Sequence, residues 1–148
     1  MPATNLIDNN SFCRLIGVKY PIFQAGMYQV ACGELAAAVS EAGGLGVIGS
    51  AFMEPGELRA EIKLAKENTS KPIGVDILFA EVSGADPTTT GYTRQVEAHI
   101  DVCYEERVDV IVSGLGNPAR IVSEAHSRGI LLMSLVGNVK QAKAVEMA

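Results

Sequence analysis

Two glycine-spaced segments carry the pattern that position alone can test. Gly44-Leu45-Gly46-Val47-Ile48-Gly49 has the G-x-G-x-x-G spacing of a dinucleotide fingerprint. In such a site the glycines follow a strand and open a helix, so that backbone N–H groups face a pyrophosphate. Here a helical stretch precedes the glycines and an apolar run continues through them, so the segment reads as a helix stop followed by a strand start. Gly114-Leu115-Gly116-Asn117-Pro118-Ala119 is better placed, after the apolar run DVIVS and before a helical stretch. Yet Pro118 removes one donor. The acidic ribose partner due at the end of the next strand is also missing, because Val136, Gly137 and Asn138 stand there. This segment reads as a loop at the carboxyl end of a strand rather than as an NAD site.

Other reactive side chains are sparse. The three cysteines, Cys13, Cys32 and Cys103, are far apart and form no Cys-x-x-Cys pair, and the two histidines are His99 and His126. That inventory predicts no zinc-type site and reads the cysteines as small buried hydrophobes in a reducing compartment. Both histidines fall on helical stretches and read as surface residues rather than catalytic bases. The net charge of −5 is spread along the chain with no Lys/Arg stripe, which argues against nucleic acid as a partner. The polar start MPATNLIDNN predicts no secretory signal, and no apolar run approaches the roughly 20 residues of a membrane span. A cytoplasmic protein with no membrane partner is the expectation.

The elements that must position these residues follow from periodicity. Apolar runs at Pro21–Ala25, Leu45–Ile48, Ile73–Leu78, Val108–Val112 and Ile130–Val136 read as strands. Between them lie helical stretches: Gly33 to Ala42, one opened by Pro55 with Leu58, Ile62 and Ala65 on one stripe, and one with Val96, Ile100 and Cys103 inward. Two more are opened by Asn117-Pro118 and by Asn138. The stretch Ser83–Gly91, with its GADPTTTG composition, reads as an exposed loop. Strand after helix after strand forces a parallel sheet, and continuous rather than alternating apolar runs mean strands covered on both faces. The class is α/β in a single domain. Periodicity leaves two architectures open: the first five β-α units of an eight-unit barrel, or an open doubly wound, flavodoxin-like sheet.

Four ordered segments narrow the choice. Cys13–Met27, closing on Pro21-Ile22-Phe23-Gln24-Ala25-Gly26-Met27, resembles the opening of the nitronate monooxygenase family, formerly called 2-nitropropane dioxygenases. Glu34–Gly49, ending in Gly43-Gly44-Leu45-Gly46-Val47-Ile48-Gly49, resembles its second landmark. Lys71-Pro72-Ile73-Gly74-Val75-Asp76 and Val136-Gly137-Asn138-Val139-Lys140-Gln141-Ala142 resemble its third and fifth strand ends. The resemblance runs from Cys13 to the C-terminus, and it is the order of all four that makes it specific.

What the resemblance implies is a (β/α)8 barrel of TIM type holding FMN at the carboxyl end of its strands, and an enzyme that oxidises alkyl nitronates with O2. The matched residues have suitable chemistry. Gln24, Ala25, Gly26 and Met27 end the first strand, where small residues let backbone approach a flat ring and Met27 offers a polarizable face. Asp76 stands where many members carry a flavin-bonding asparagine; a carboxylate only accepts hydrogen bonds unless protonated, and otherwise it is a strand-end acid facing water. Lys140 falls where the family often has a lysine near the ligand, or is a solvated helix residue. Gly49, Ser50, Ser113 and Gly114 end strands that would line the same mouth. In the family the catalytic histidine and the FMN phosphate loops lie further on than Ala148, so no residue here is assigned as catalytic and none as a metal ligand. An unclosed sheet also implies self-association or pairing with a missing C-terminal half. FMN-dependent enoyl-ACP reduction, and a noncatalytic flavin-binding or interaction half-barrel, are the competing readings.

Overall fold

The computed structural model of the chain describes residues 10–79, 81–83 and 90–147. The polar start over residues 1–9 and the centre of the glycine- and threonine-rich loop over residues 84–89 lie outside the described residues. Helix α1 (Ser11–Ile16) precedes α2 (Gly33–Glu41), β1 (Gly46–Gly49), α3 (Pro55–Asn68) and β2 (Ile73–Leu78). A short pair, β3 (Glu81–Ser83) and β4 (Thr90–Tyr92), leads into α4 (Arg94–Glu105) and β5 (Val110–Leu115). A 3-10 turn (Ala119–Ile121), α5 (Val122–Ser127), β6 (Leu131–Ser134) and α6 (Val139–Glu146) complete the order.

The main sheet is parallel in the order β1-β2-β5-β6, and Phe23 makes a parallel bridge to Leu45 on the outer side of β1. Each α/β unit is therefore laid beside its predecessor, with no point where the order reverses. That is the winding of a barrel; the doubly wound sheet requires a reversal and is excluded. The first strand is shorter than its apolar run. Pro21 has no N–H to give, Ile22 N–H turns back to Tyr20 O, and only the Leu45–Ile22 and Gln24–Leu45 backbone bonds reach β1. The loop expected over Ser83–Gly91 is flanked by the antiparallel β3–β4 ladder, in which Glu81 pairs with Tyr92. Helix α1 was not evident from periodicity, being too short; it is set by its caps, Asn10 accepting from Phe12 N at 2.9 Å and Gly17 in the left-handed region at φ 84°.

Side chains along each strand alternate between two apolar layers. Ile48, Ile73, Val75, Ile77 and Ile111 pack outward against the helices, together with Leu58, Ile62, Val96, Ile100 and Cys103. Leu45, Val47, Val110 and Val112 face the inner, concave side with Ile16, half-buried Phe23, Leu131 and Met133. Cys13 and Cys103 are buried as expected, while Cys32 is half-buried. Among the described residues no helix is long and apolar enough to cross a membrane.

The helix layer sits close to the sheet because Gly46 has no side chain. A Cβ built there would lie 1.8 Å from the carbonyl oxygen of Ala36. Gly33 plays the matching part between helices: its N–H donates to Glu61 Oε2 at 2.6 Å, so α3 caps α2. Gly56, by contrast, has nothing within 4 Å of a built Cβ. Gly46→Ala is expected to cost about 3 kcal/mol or more through overpacking, and Gly56→Ala to gain roughly 0.5–1 kcal/mol in helix propensity. Urea denaturation of both variants checks the opposite signs.

Candidate active site

The carboxyl ends of the strands meet at one rim, and register decides who meets. Gly49 of β1 is paired with Asp76 of β2, and Asp76 with Val112 of β5. Asp76 therefore alternates with the inward-facing residues and points into the concave side. Its carboxyl lies between two glycines: a Cβ on Gly26 would fall 2.2 Å from Asp76 Oδ2, and one on Gly114 would fall 2.4 Å from Oδ1. Gly49 is close as well, though less so, a built Cβ falling 2.9 Å from Met27 N. Gly26, Met27, Gly49, Asp76 and Gly114 thus form one contiguous patch, led into by Gln24 and the exposed Ala25.

Two buried oxygens, one in this patch and one on the segment leading into it, lack partners. Gln24 Nε2 donates to Val47 O at 2.8 Å, which fixes the amide, but its Oε1 accepts nothing; Asp76 Oδ1 accepts nothing either. Asp76 is 9% exposed. Burial pushes its carboxyl above the usual carboxylate range, and the nearby Gly114 amide opposes that only in part. The patch is a glycine-lined surface with an unpartnered carboxyl oxygen buried in it, suited to a flat ligand with polar groups along one edge.

The strand-five loop is stiffly built. Gly114 is skipped where the β2–β5 register shifts, so that Ile77 faces Ser113 and Leu78 faces Leu115. Gly116, at φ +90°, lies so close to Phe79 that a Cβ would be 2.1 Å from its carbonyl oxygen. Tyr92 donates to Asn117 O at 2.8 Å, and Ser113 Oγ donates to Gly116 O at 3.0 Å. The Ser113 hydroxyl is thus taken up inside the loop, on the helix-facing side of β5, and is not brought to the Asp76 patch. Beyond Gly114 the rim opens into a cleft of about 650 Å³ walled by Leu115, Asn117, Leu135, Val136 and Gln141. Lys140 is exposed on the first turn of α6 and lies outside that wall; its neighbour Gln141, whose Oε1 accepts from Gly137 N at 2.7 Å, lines it instead.

His99 corrects the sequence reading. It is 2% exposed, not a surface residue: its Nε2–H donates to Met53 O at 2.8 Å and its Nδ1 sits 3.3 Å from Ser50 Oγ. Ser50 in turn donates N–H and Oγ–H to Asp76 O, at 3.1 and 2.8 Å. The signal was present, since His99 lies three residues after Val96 and four before Cys103, on the buried stripe of α4. Its role is to hold the backbone behind Asp76 from the helix side. His126 is exposed on α5 as expected.

Asp76 also ties stability to pH. A carboxyl whose folded pKa is raised binds more protons folded than unfolded, so its unfavourable contribution is absent below the ordinary value of 3.8 and grows as pH rises through the folded pKa. Asp76→Asn is therefore expected to be more stable than the wild type at pH 7, with the gap narrowing toward pH 4. Urea titrations at both pH values check the sign.

Comparison with known proteins places this geometry. A family model described as nitronate monooxygenase matches residues 9–148. A carboxyl-CoA dehydrogenase of Rhodococcus jostii, named for a 5-hydroxy-7a-methyl-1-oxo-octahydro-indene substrate, is 34% identical over 88% of this chain and 34% of its own length. A probable nitronate monooxygenase of Staphylococcus aureus is 26% identical over 95% of this chain and 46% of its own. FabK from Thermotoga maritima superposes with a TM-score of 0.82 at 34% identity, over 94% of this chain and 41% of that one. A nitroalkane oxidase from Streptomyces ansochromogenes gives 0.78 at 26% identity, over 93% and 46%. The chain thus spans between a third and a half of the curated relatives it matches. With parallel strands wound in sequence order and a family model matched from residue 9 onward, the chain belongs to the nitronate monooxygenase family.

Proposed function

We propose that this chain supplies the ring-facing half of an FMN-dependent oxidoreductase that oxidises alkyl nitronates with O2. The observation that carries the reading is the buried, unpartnered Asp76 Oδ1, held between Gly26 and Gly114 at the strand-end rim, with a second buried, unpartnered oxygen, Gln24 Oε1, on the segment that leads into Gly26. The residues fit the group. An isoalloxazine edge offers an N–H donor beside carbonyl and imine acceptors, which can satisfy the Gln24 amide oxygen and the unpartnered Oδ1 of Asp76. Gln24, held by Val47 O, would accept from the ring; Gly26, Gly49 and Gly114 admit close approach of backbone; Met27 would lie against the ring face. Apolar Leu115, Leu135 and Val136 at the cleft would exclude water from the reacting side. Bound FMN would supply the two-electron acceptor for the nitronate and return the electrons to O2.

A thioester substrate is the second reading, favoured by one observation. A carboxyl-CoA dehydrogenase and FabK are each 34% identical to this chain, whereas a probable nitronate monooxygenase is 26% identical. Protein expressed from the full reading frame, assayed with propionate 3-nitronate and O2 against NADH with an enoyl thioester, separates the two. The expected result is oxygen uptake with the nitronate; turnover of the thioester alone would replace the first reading with the second. FMN added to the 148-residue chain is expected to give a yellow, fluorescence-quenched complex at micromolar protein.

We further propose that the chain associates, with a second copy or with further strands of the same barrel. Strand β6 lies at the edge of the sheet with all four residues half-buried, and Leu135 and Val136 beside it are exposed. Size-exclusion of the isolated chain is expected to show self-association; a compact monomer with a cooperative thermal transition contradicts this.

A further inference from the structure

Among the described residues Asp76 is the one ionisable acid or base on the carboxyl ends of β1, β2, β5 and β6. The segments that surround the rim, residues 21–31, 44–53, 110–119 and 130–137, contain no Lys, Arg, His, Asp or Glu. Their one titrating side chain of any other kind is the exposed Tyr28. From β1, Asp76 meets Gly49 and Ser50; from β5, Val112 and Gly114; from the first strand's turn, Gly26. The nearest histidine, His99, is spent on Met53 O and Ser50 behind the strand. Among the described residues no cation forms an ion pair with the carboxyl.

A buried carboxylate ordinarily survives on a cation or on several N–H donors. Asp76 has no cation and only the Gly114 amide beside its carboxyl, its Oδ1 makes no hydrogen bond, and the glycines on both sides leave the carboxyl no room to swing away, since even a methyl group at Gly26 or Gly114 would overlap it. A carboxylic acid in the same place needs only an acceptor for its O–H. We propose that Asp76 engages the bound ring as a neutral acid, donating a hydrogen bond to a carbonyl oxygen or imine nitrogen of the flavin, so that ring binding is switched off by its ionisation. The direction in which burial moves the group agrees. This inference rests on the flavin reading above and specifies the chemistry of one contact within it.

Riboflavin is the probe, because it lacks the phosphate whose own second ionisation near pH 6 would blur the result. Its affinity is read by fluorescence quenching between pH 4.5 and 8.5 for the wild type and Asp76→Asn, which keeps an N–H donor at every pH. The wild type is expected to lose about tenfold in affinity per pH unit above the ionisation of Asp76, while Asp76→Asn stays flat. A flat wild-type profile, or one that tightens as pH rises, overturns the inference and leaves the flavin reading intact. Absence of riboflavin binding by either protein at any pH overturns both. Should Asp76→Asn fail to fold, carboxyl carbon NMR of the wild type decides. Riboflavin is expected to hold Asp76 protonated to higher pH, and a ligand that instead promotes its ionisation refutes the proposal.

Discussion

The rim is organised by a steric constraint at one carboxyl group. Parallel register sets Gly49, Asp76 and Val112 level with one another, and the turn after the first strand brings Gly26 against the same carboxyl. An L side chain at Gly26 or Gly114 would occupy the space of the Asp76 oxygens, so the site exists only because those positions have no Cβ. From that contact the rest follows: the loop after the first strand, the β5 bulge and the backbone of β2 are all fixed relative to one acid.

A second layer of support lies behind the strand. Ser50 ties the end of β1 to the Asp76 carbonyl, and His99 ties Ser50 to the Met53 loop and to α4. The helix layer thus bears on the rim through hydrogen bonds behind the strand. At the other side, Tyr92 and Phe79 meet edge to face at 5.2 Å and lock the strand-five loop through Asn117 O. A rim held from both sides can keep unpartnered oxygens in place without their collapsing onto a protein donor.

Much of this was legible in the sequence, and the failures have identifiable causes. Continuous apolar runs marked the parallel strands, Pro55 and Asn138 marked helix starts, and the glycine spacing around residue 114 marked a strand-end loop. Barrel and open sheet share the same periodicity, so strand order had to come from coordinates. Ser113 and Gly114 are adjacent in sequence, but strand alternation turns one toward the helices and the other toward Asp76. Lys140 and Gln141 differ in the same way by helical rotation, and only Gln141 reaches the cleft. His99 was misread because a polar residue on a buried stripe is found only by weighing the stripe before the residue.

A ring seated at the carboxyl-end rim shields that rim and leaves the opposite end of the strands open. Amide hydrogen exchange of the chain with and without FMN tests this directly. Slowing confined to the Gly26–Met27 turn, the Gly49–Ser50 strand end and the Gly114–Gly116 loop is the expected pattern. Slowing at the opposite end of the strands instead, around Gly17–Lys19 and Lys71, would contradict it.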